Sequence, residues 1–259
     1  MPVLAVGQLM AVGQLMARDA TPIRKYLRDC RDATSLDDLR TAAISYYSTT
    51  RVLMASYLHY PPVGARDFDG AIRIGAFGYP KDWGQKYLNE RLYLSDPLAR
   101  RASGFTRPHF WSEIKNLPDL TEAELAYMEQ AAKVKMGEGI GVPVFGPFNR
   151  NGYCALGFGY GNPAPDGDEI LELQVACQIG HLAYCEMLQR NLPPETTLSA
   201  REKEILHWIA RGRTNAQIAD GLEISRNTVE TYIRRCFEKL GVNDRESAAL
   251  RGMALGMVD

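Results

Sequence analysis

At 259 residues the chain suits one large domain or about two ordinary ones, and 46% hydrophobic with 24% charged residues is a globular composition. Lys and Arg total 30 against 31 for Asp and Glu, a formal net charge of −1 that excludes a binder basic overall but not a local basic surface. Five Cys, at 30, 154, 177, 185 and 236, form no CxxC pair and exclude a disulfide scaffold; reduced, mostly buried thiols of a cytoplasmic protein are expected. No window of 18 apolar residues exists, so no membrane span is expected. The opening MPVLAVGQLMAVGQLMA carries AVGQLM twice, at 5–10 and 11–16. It has no basic residue ahead of its apolar stretch, and Gln8 and Gln14 interrupt it, so it reads as a local duplication rather than an export signal.

Thr21–Asp32 and Ser35–Thr49 have helical patterns, the second opening with Ser35 and Asp38 at capping spacing. Arg51–Tyr60 and Gly70–Tyr79 are rich in β-branched, aromatic and small apolar residues and read as strands joined by PPVGARDFDG. Pro80 opens a helix to about Leu92. A helix over Thr121–Lys135 precedes two further strands, Ile140–Phe145 and Tyr153–Tyr160, with FNRNG as their turn. Asp166–Gln189 is a long helix whose Ile170, Leu171, Val175, Ile179, Leu182 and Leu188 form an apolar stripe for the core, part of it available to a dimer interface. Adjacent hairpins between helices argue for α+β, an antiparallel sheet in an α/β/α sandwich spanning 21–188.

QRNLPPETT, residues 189–197, reads as a linker. From 198 to 259 only short helices follow, a small all-α domain. Ser199 and Glu202 make a capping-box spacing, Gly212 ends the first helix, Thr214 caps NAQIADGL, and Gly221 lies near that helix's end. Ser225 caps RNTVETYIRRCFEKL, which stops at Gly241, and Asp244 begins a fourth helix. The second and third, joined by GLEIS, are a helix-turn-helix candidate. In the third, Val229, Ile233, Cys236, Phe237 and Leu240 face inward, so Arg226, Asn227, Glu230, Thr231, Arg234 and Arg235 face outward. Counting Lys239 and Glu238, this helix has four basic and two acidic residues, a local charge suited to double-stranded DNA. Thr214 and Thr228 join the candidate DNA-contacting set.

These residues carry a resemblance. LSAREKEILHWIARGRTNAQIADGLEISRNTVETYIRRCFEKLGVNDRESAA resembles the C-terminal DNA-binding domain of LuxR-type transcription factors, whose marked Glu, Leu and Gly fall on Glu202, Leu206 and Gly212. Response regulators share that module, but a receiver domain would alternate β and α units, which residues 21–188 do not. The segment YPKDWGQKYLNERLYLSDPLARRASGFTRPHFW instead resembles the acyl-homoserine-lactone-binding domain of quorum-sensing LuxR-type regulators. The characteristic Trp, Tyr, Asp, Pro, Trp and Gly of that domain land on Trp83, Tyr87, Asp96, Pro97, Trp111 and Gly139. Taken singly, each aromatic is better explained by the core, and Asp96 by a helix cap; together they point to the family.

The resemblance implies a small-molecule ligand, an N-acyl-homoserine lactone. In it Trp83 donates to the lactone carbonyl, Asp96 accepts from the amide N–H, and Tyr79 bonds the acyl carbonyl. Tyr87 packs along the acyl group, while Phe110, Trp111 and Ala131 wall the lactone. A donor-only indole and an acceptor-only carboxylate suit those partners. At positions where some relatives place hydroxyls near the acyl 3-position, the chain has Leu98, Gly141 and Gly157. Leu98 leaves a 3-oxo group unpaired, and the glycines are expected to leave room for an unsubstituted, branched or aryl chain.

The resemblance further implies a homodimer that reads an inverted-repeat promoter element, with RNA polymerase as a partner if it activates, in the bacterial cytoplasm and on the nucleoid when bound to DNA. A LuxR-like regulator sensing another molecule and a ligand-independent dimeric DNA-binding protein are the alternatives. No enzyme is expected: HExxH and GxSxG are absent, and GEGIGV precedes a strand rather than a helix. His59, His109, His181 and His207 show no metal-ligand spacing among themselves or with the Cys, so no metal is expected, and each reads as a surface or hydrogen-bonded histidine.

Overall fold

The computed structural model describes residues 21–65, 73–191 and 197–258. The AVGQLM duplication, the second half of the PPVGARDFDG loop and most of the expected linker lie outside them. The described chain forms two compact units. The first comprises 21–59, 73–145 and 152–187; the second comprises 60–65, 146–151, 188–191 and 197–258.

The first unit begins with α1 (Pro22–Asp32) and α2 (Leu36–Tyr47). Ser35 Oγ accepts from the Asp38 amide while the Asp38 carboxylate takes the Ser35 amide, so the expected cap forms in both directions. Then follow β1 (Met54–Tyr60), β2 (Arg73–Phe77) and α3 (Lys81–Asn89). After a single 3₁₀ turn come α4 (Pro97–Arg100), the two-residue β3 (His109–Phe110), α5 (Trp111–Lys115) and α6 (Glu122–Lys133). The hairpin β4 (Glu138–Val144) and β5 (Asn151–Gly159) leads to α7 (Gly167–Asn191). The sheet order is β2-β1-β5-β4-β3, with the β1–β2, β3–β4 and β4–β5 pairs antiparallel. β3, α4 and α5 are too short to leave a periodic signal, and the sequence reading lacked them.

Strand alternation sorts side chains to the two sheet faces. Cys154, Leu156 and Phe158 of β5 join Tyr26, Tyr46, Tyr47, Leu173, Ala176 and Cys177 in a core under α1, α2 and α7. On the opposite face Trp83, Leu92 and Tyr127 form a second cluster with Tyr79, Tyr87 and Ala131 packed against it. The sheet is thus layered between helices, as expected.

Only part of the expected α7 stripe faces inward: Leu188 is buried, and Ile170 and Ile179 pack against the core. Leu173, Ala176, Cys177, His181, Cys185 and Leu188 face the interior, while Leu171, Val175 and Leu182 are 59%, 42% and 41% exposed. Both rows are apolar, so periodicity alone does not say which faces the sheet.

The second unit holds α8 (Ala200–Ala210), α9 (Asn215–Leu222), α10 (Arg226–Leu240) and α11 (Arg245–Ala254). Ser199, Thr214, Ser225 and Asp244 cap these four helices through their side-chain oxygens. Gly241 ends α10 in the left-handed region at φ 67°. At the end of α9 that conformation belongs to Glu223, φ 54°, not to Gly221. A Cβ on Gly221 would lie 2.7 Å from the Trp208 ring, so that glycine admits an indole rather than ending a helix.

Candidate functional site

On the helix-α3 side of the sheet the first unit holds a cavity of about 710 Å³. That is the scale of a small-molecule pocket. Tyr79, Trp83, Tyr87, Asp96, Trp111 and Ala131 all line it, together with Leu98. Trp83 and Tyr87, one turn apart on α3, lie within 6.1–6.3 Å of the Tyr127 ring centroid on α6, an aromatic wall. Ser56, Leu58, Tyr127, Met128, Tyr153 and Ala155 are among the further lining residues and were missed in the sequence. Each is an ordinary strand or helix residue until the sheet brings β1 and β5 side by side.

Asp96 is the polar centre. It is 6% exposed, and the helix-cap reading holds: Oδ1 caps α4 through the Leu98 amide at 2.9 Å, while Oδ2 takes the Tyr87 hydroxyl at 2.9 Å. The Tyr127 hydroxyl and the Ala99 amide also bond it. Burial raises its pKa from the ordinary 3.8 to about 6 despite these donors, which pull it down. Tyr79 reaches the Ser56 hydroxyl at 3.4 Å. The Arg101 guanidinium grips Glu124 at the start of α6, at 2.8 Å, and so ties the Asp96 segment to the helix bearing Tyr127.

Five of the expected ligand residues do not reach the cavity wall: Pro97, Phe110, Gly139, Gly141 and Gly157. Pro97 is buried in the first turn of α4. Phe110 packs into the core on the other sheet face, because alternation sends His109 and Phe110 to opposite sides. The glycines do not open space for a broad acyl group. A Cβ at Gly139 would lie 2.5 Å from the Trp111 indole, and one at Gly157 would lie 3.0 Å from it and 2.8 Å from Met54. At Gly141 it would meet the Tyr153 hydroxyl at 2.2 Å and His109 Nε2 at 2.5 Å. The side chains of the protein itself already occupy that room.

In the second unit Thr214, Arg226, Asn227, Glu230, Arg234 and Arg235 are exposed, and Thr228 and Thr231 half-buried. Val229, Cys236 and Leu240 are buried, with Ile233 and Phe237 partly so, as the periodicity requires. Several outward groups already have local partners. Thr228 Oγ lies 2.8 Å from Ser225 Oγ, Thr231 donates to the Asn227 carbonyl at 2.9 Å, and Arg235 stacks over Tyr232. Lys239 departs from the expected basic face: its ammonium lies 2.7 Å from the buried Glu202 carboxylate. Burial pushes the Glu202 pKa up, but Lys239 and Ser199 outweigh it and hold the group below its ordinary value. The exposed charge of α10 is therefore Arg226, Arg234 and Arg235 against Glu230 and Glu238.

The histidines are not a surface set. His59, His109 and His181 are each 3% exposed or less. Cys30, Cys154, Cys177, Cys185 and Cys236 are buried free thiols. Among the described residues no helix is long and apolar enough to cross a membrane.

Residues 54–184 match the family described as autoinducer binding domain, and residues 196–251 match bacterial regulatory proteins, luxR family. The chain belongs to the LuxR family. It is a LuxR-type transcriptional regulator with an autoinducer-binding domain, not an enzyme. Among relatives, it is 30% identical over 184 residues to a putative HTH-type transcriptional regulator, y4qH, of Sinorhizobium fredii, covering 70% of this chain but only 56% of that one. It is 26% identical to the quorum sensing-dependent regulator RpaR of Rhodopseudomonas palustris, covering 71% of this chain and 74% of RpaR. The Escherichia coli SdiA crystal structure superposes with a TM-score of 0.69 at 21% identity, over 91% of this chain and 97% of SdiA. That likeness is one of fold.

Proposed function

We propose that this LuxR-family regulator is a quorum-sensing protein that binds an N-acyl-homoserine lactone in the 710 Å³ cavity. The observation that carries the reading is Asp96, a buried carboxyl among tyrosine hydroxyls on the wall of an otherwise largely apolar chamber. Such a group suits an amide N–H. Because Leu98, Ala99, Tyr87 and Tyr127 already donate to it, the ligand amide displaces or shares with one tyrosine hydroxyl. Trp83 donates to the lactone carbonyl and Tyr79 to the acyl carbonyl, while Trp111 and Ala131 wall the ring. Leu58, Leu98 and Ala155 keep the acyl side apolar, which supports an unsubstituted, branched or aryl chain over a 3-oxo chain.

The regulator works as a cytoplasmic homodimer on an inverted-repeat DNA element. Leu171, Val175 and Leu182 form an exposed apolar row on α7 that supports the dimer. The exposed face of α10 enters the major groove, with Arg226, Asn227, Glu230 and Thr231 toward base edges and Thr214, Thr228, Arg234 and Arg235 toward phosphates. Calorimetry with unsubstituted, branched, aryl and 3-oxo homoserine lactones is the test. Heat with the first three and a weaker response to 3-oxo chains is expected. Silence across the panel sinks the sensor reading, and a clear win for a 3-oxo chain sinks the acyl assignment.

A further inference from the structure

Behind the sheet, away from the ligand cavity, the first unit gathers His59, His181 and Cys185, the first two 1% exposed and the third 0%. One ligand atom from each lies within 4.8 Å of the others. His59 comes from the end of β1, while His181 and Cys185 lie four residues apart on one face of α7. The sequence spacing of His59 to the other two is too long to read as a motif, which is why the sheet was needed to find it.

We propose that these three residues form a closed binding site for one soft metal ion, cuprous copper. The donor set is one thiol and two imidazoles, and thiolate with imidazole suits copper and zinc rather than magnesium or calcium. Charge separates copper from zinc. The clustered donors include no carboxylate among the described residues, so the thiolate is the single negative ligand. Cu(I) with one thiolate is neutral, whereas Zn(II) leaves a net positive charge where burial makes charge costly. Zinc also wants a fourth ligand in a structural site.

The surroundings fit a ligating histidine. The Tyr57 hydroxyl lies 2.8 Å from His181 Nδ1, and His181 Nε2 faces Cys185 Sγ at 3.5 Å. A neutral phenol accepting from Nδ1–H fixes the tautomer that turns the Nε2 lone pair toward the thiol. Gly152 makes the approach of helix to sheet possible: a Cβ there would lie 2.8 Å from the Leu58 carbonyl and 3.1 Å from His181 Nδ1. His181, Tyr57 and Tyr184 also line a second cavity, about 330 Å³, beneath α1 and α2, which supplies an access route. Binding forms one Cu–S and two Cu–N bonds, and the Cys185 thiol proton leaves to solvent, with no change in oxidation state.

The test uses the full-length protein, reduced and metal-free, titrated anaerobically with Cu(I) buffered by bicinchoninate, and in parallel with Zn(II) against a zinc indicator. Retention of one Cu(I) per chain is expected, with X-ray absorption reporting one sulfur and two nitrogen neighbours. Cys185→Ser and His181→Gln should each weaken binding at least tenfold, while Cys236→Ser leaves it unchanged. No retained copper, tighter binding of zinc than of copper, or a copper shell with more than one sulfur overturns the proposal. So does unchanged copper binding in Cys185→Ser, and the X-ray absorption readout on the unaltered chain decides even if a variant fails to fold.

Discussion

Asp96 is where single-residue chemistry weighs most. In the proposed complex its bond to the ligand amide is charge-assisted, and Asp96→Asn should cost about 1.5–3 kcal/mol of affinity, roughly a 10- to 150-fold rise in Kd by calorimetry. Its raised pKa adds a pH signature. A carboxyl with folded pKa near 6 and unfolded pKa near 3.8 holds its proton more tightly when folded. Its contribution to stability is therefore complete below the unfolded value and is lost as pH rises through about 6. Ligand binding runs the other way, because the amide N–H wants the carboxylate. Lactone affinity should fall as pH drops below about 6 in the native protein and stay flat over that window in Asp96→Asn. Gly139 offers a packing test. Gly139→Ala drives a methyl against the Trp111 indole and the Leu156 carbonyl, at 2.5 and 2.6 Å. Calorimetric unfolding should register a loss of about 1–3 kcal/mol, the usual cost of overpacking, whereas an unchanged transition would mean the indole moves freely.

At the scale of elements, α10 divides its cations between two tasks. Lys239 serves the fold: its loss leaves the Glu202 carboxylate buried without its ammonium partner. Lys239→Met should therefore destabilise the DNA-binding region by about 1–3 kcal/mol at most, since the lysine is partly exposed, read as a lower melting temperature, without changing the salt dependence of DNA binding. Arg235→Ala should do the reverse, flattening log Kd against log salt by about one unit of slope. Arg226→Ala should relax site preference more than general affinity. Two elements also show where pattern fails. The α7 helix carries apolar residues on both faces, so a 3.6-residue count finds the helix but not its buried side. β3 and α4 span only two and four residues, fewer than a period needs, yet α4 is the turn that orients Asp96.

For the molecule as a whole, ligand, dimer and DNA are linked through the proposed sensor. A ligand that binds only the folded state adds about 2.7 kcal/mol at 100 times its Kd, which thermal denaturation with and without lactone measures directly. If the exposed row on α7 closes the dimer, Leu182→Asp should yield a monomer by sedimentation while lactone still binds, and DNA affinity should drop with the loss of the second recognition helix. A dimer that survives this change would place the interface elsewhere.

Local rules are readable along the chain because they act over three or four residues. The caps at Ser35, Ser199, Thr214, Ser225 and Asp244, the inward row of α10 and the LuxR signatures needed no third dimension. Trp83, Tyr87 and Asp96 were legible as a set because they lie on one short stretch of chain. Tertiary structure alone decided what depends on neighbours remote in sequence. It turned Phe110 away from the cavity, filled the space beside Gly139, Gly141 and Gly157 with Trp111, Met54, His109 and Tyr153, and engaged Lys239 with Glu202. It also brought His59 to His181 and Cys185. The reason is common to all four: a side chain's direction follows from its own backbone, but whether it meets space, a ring or a charge is set by the packing of another segment.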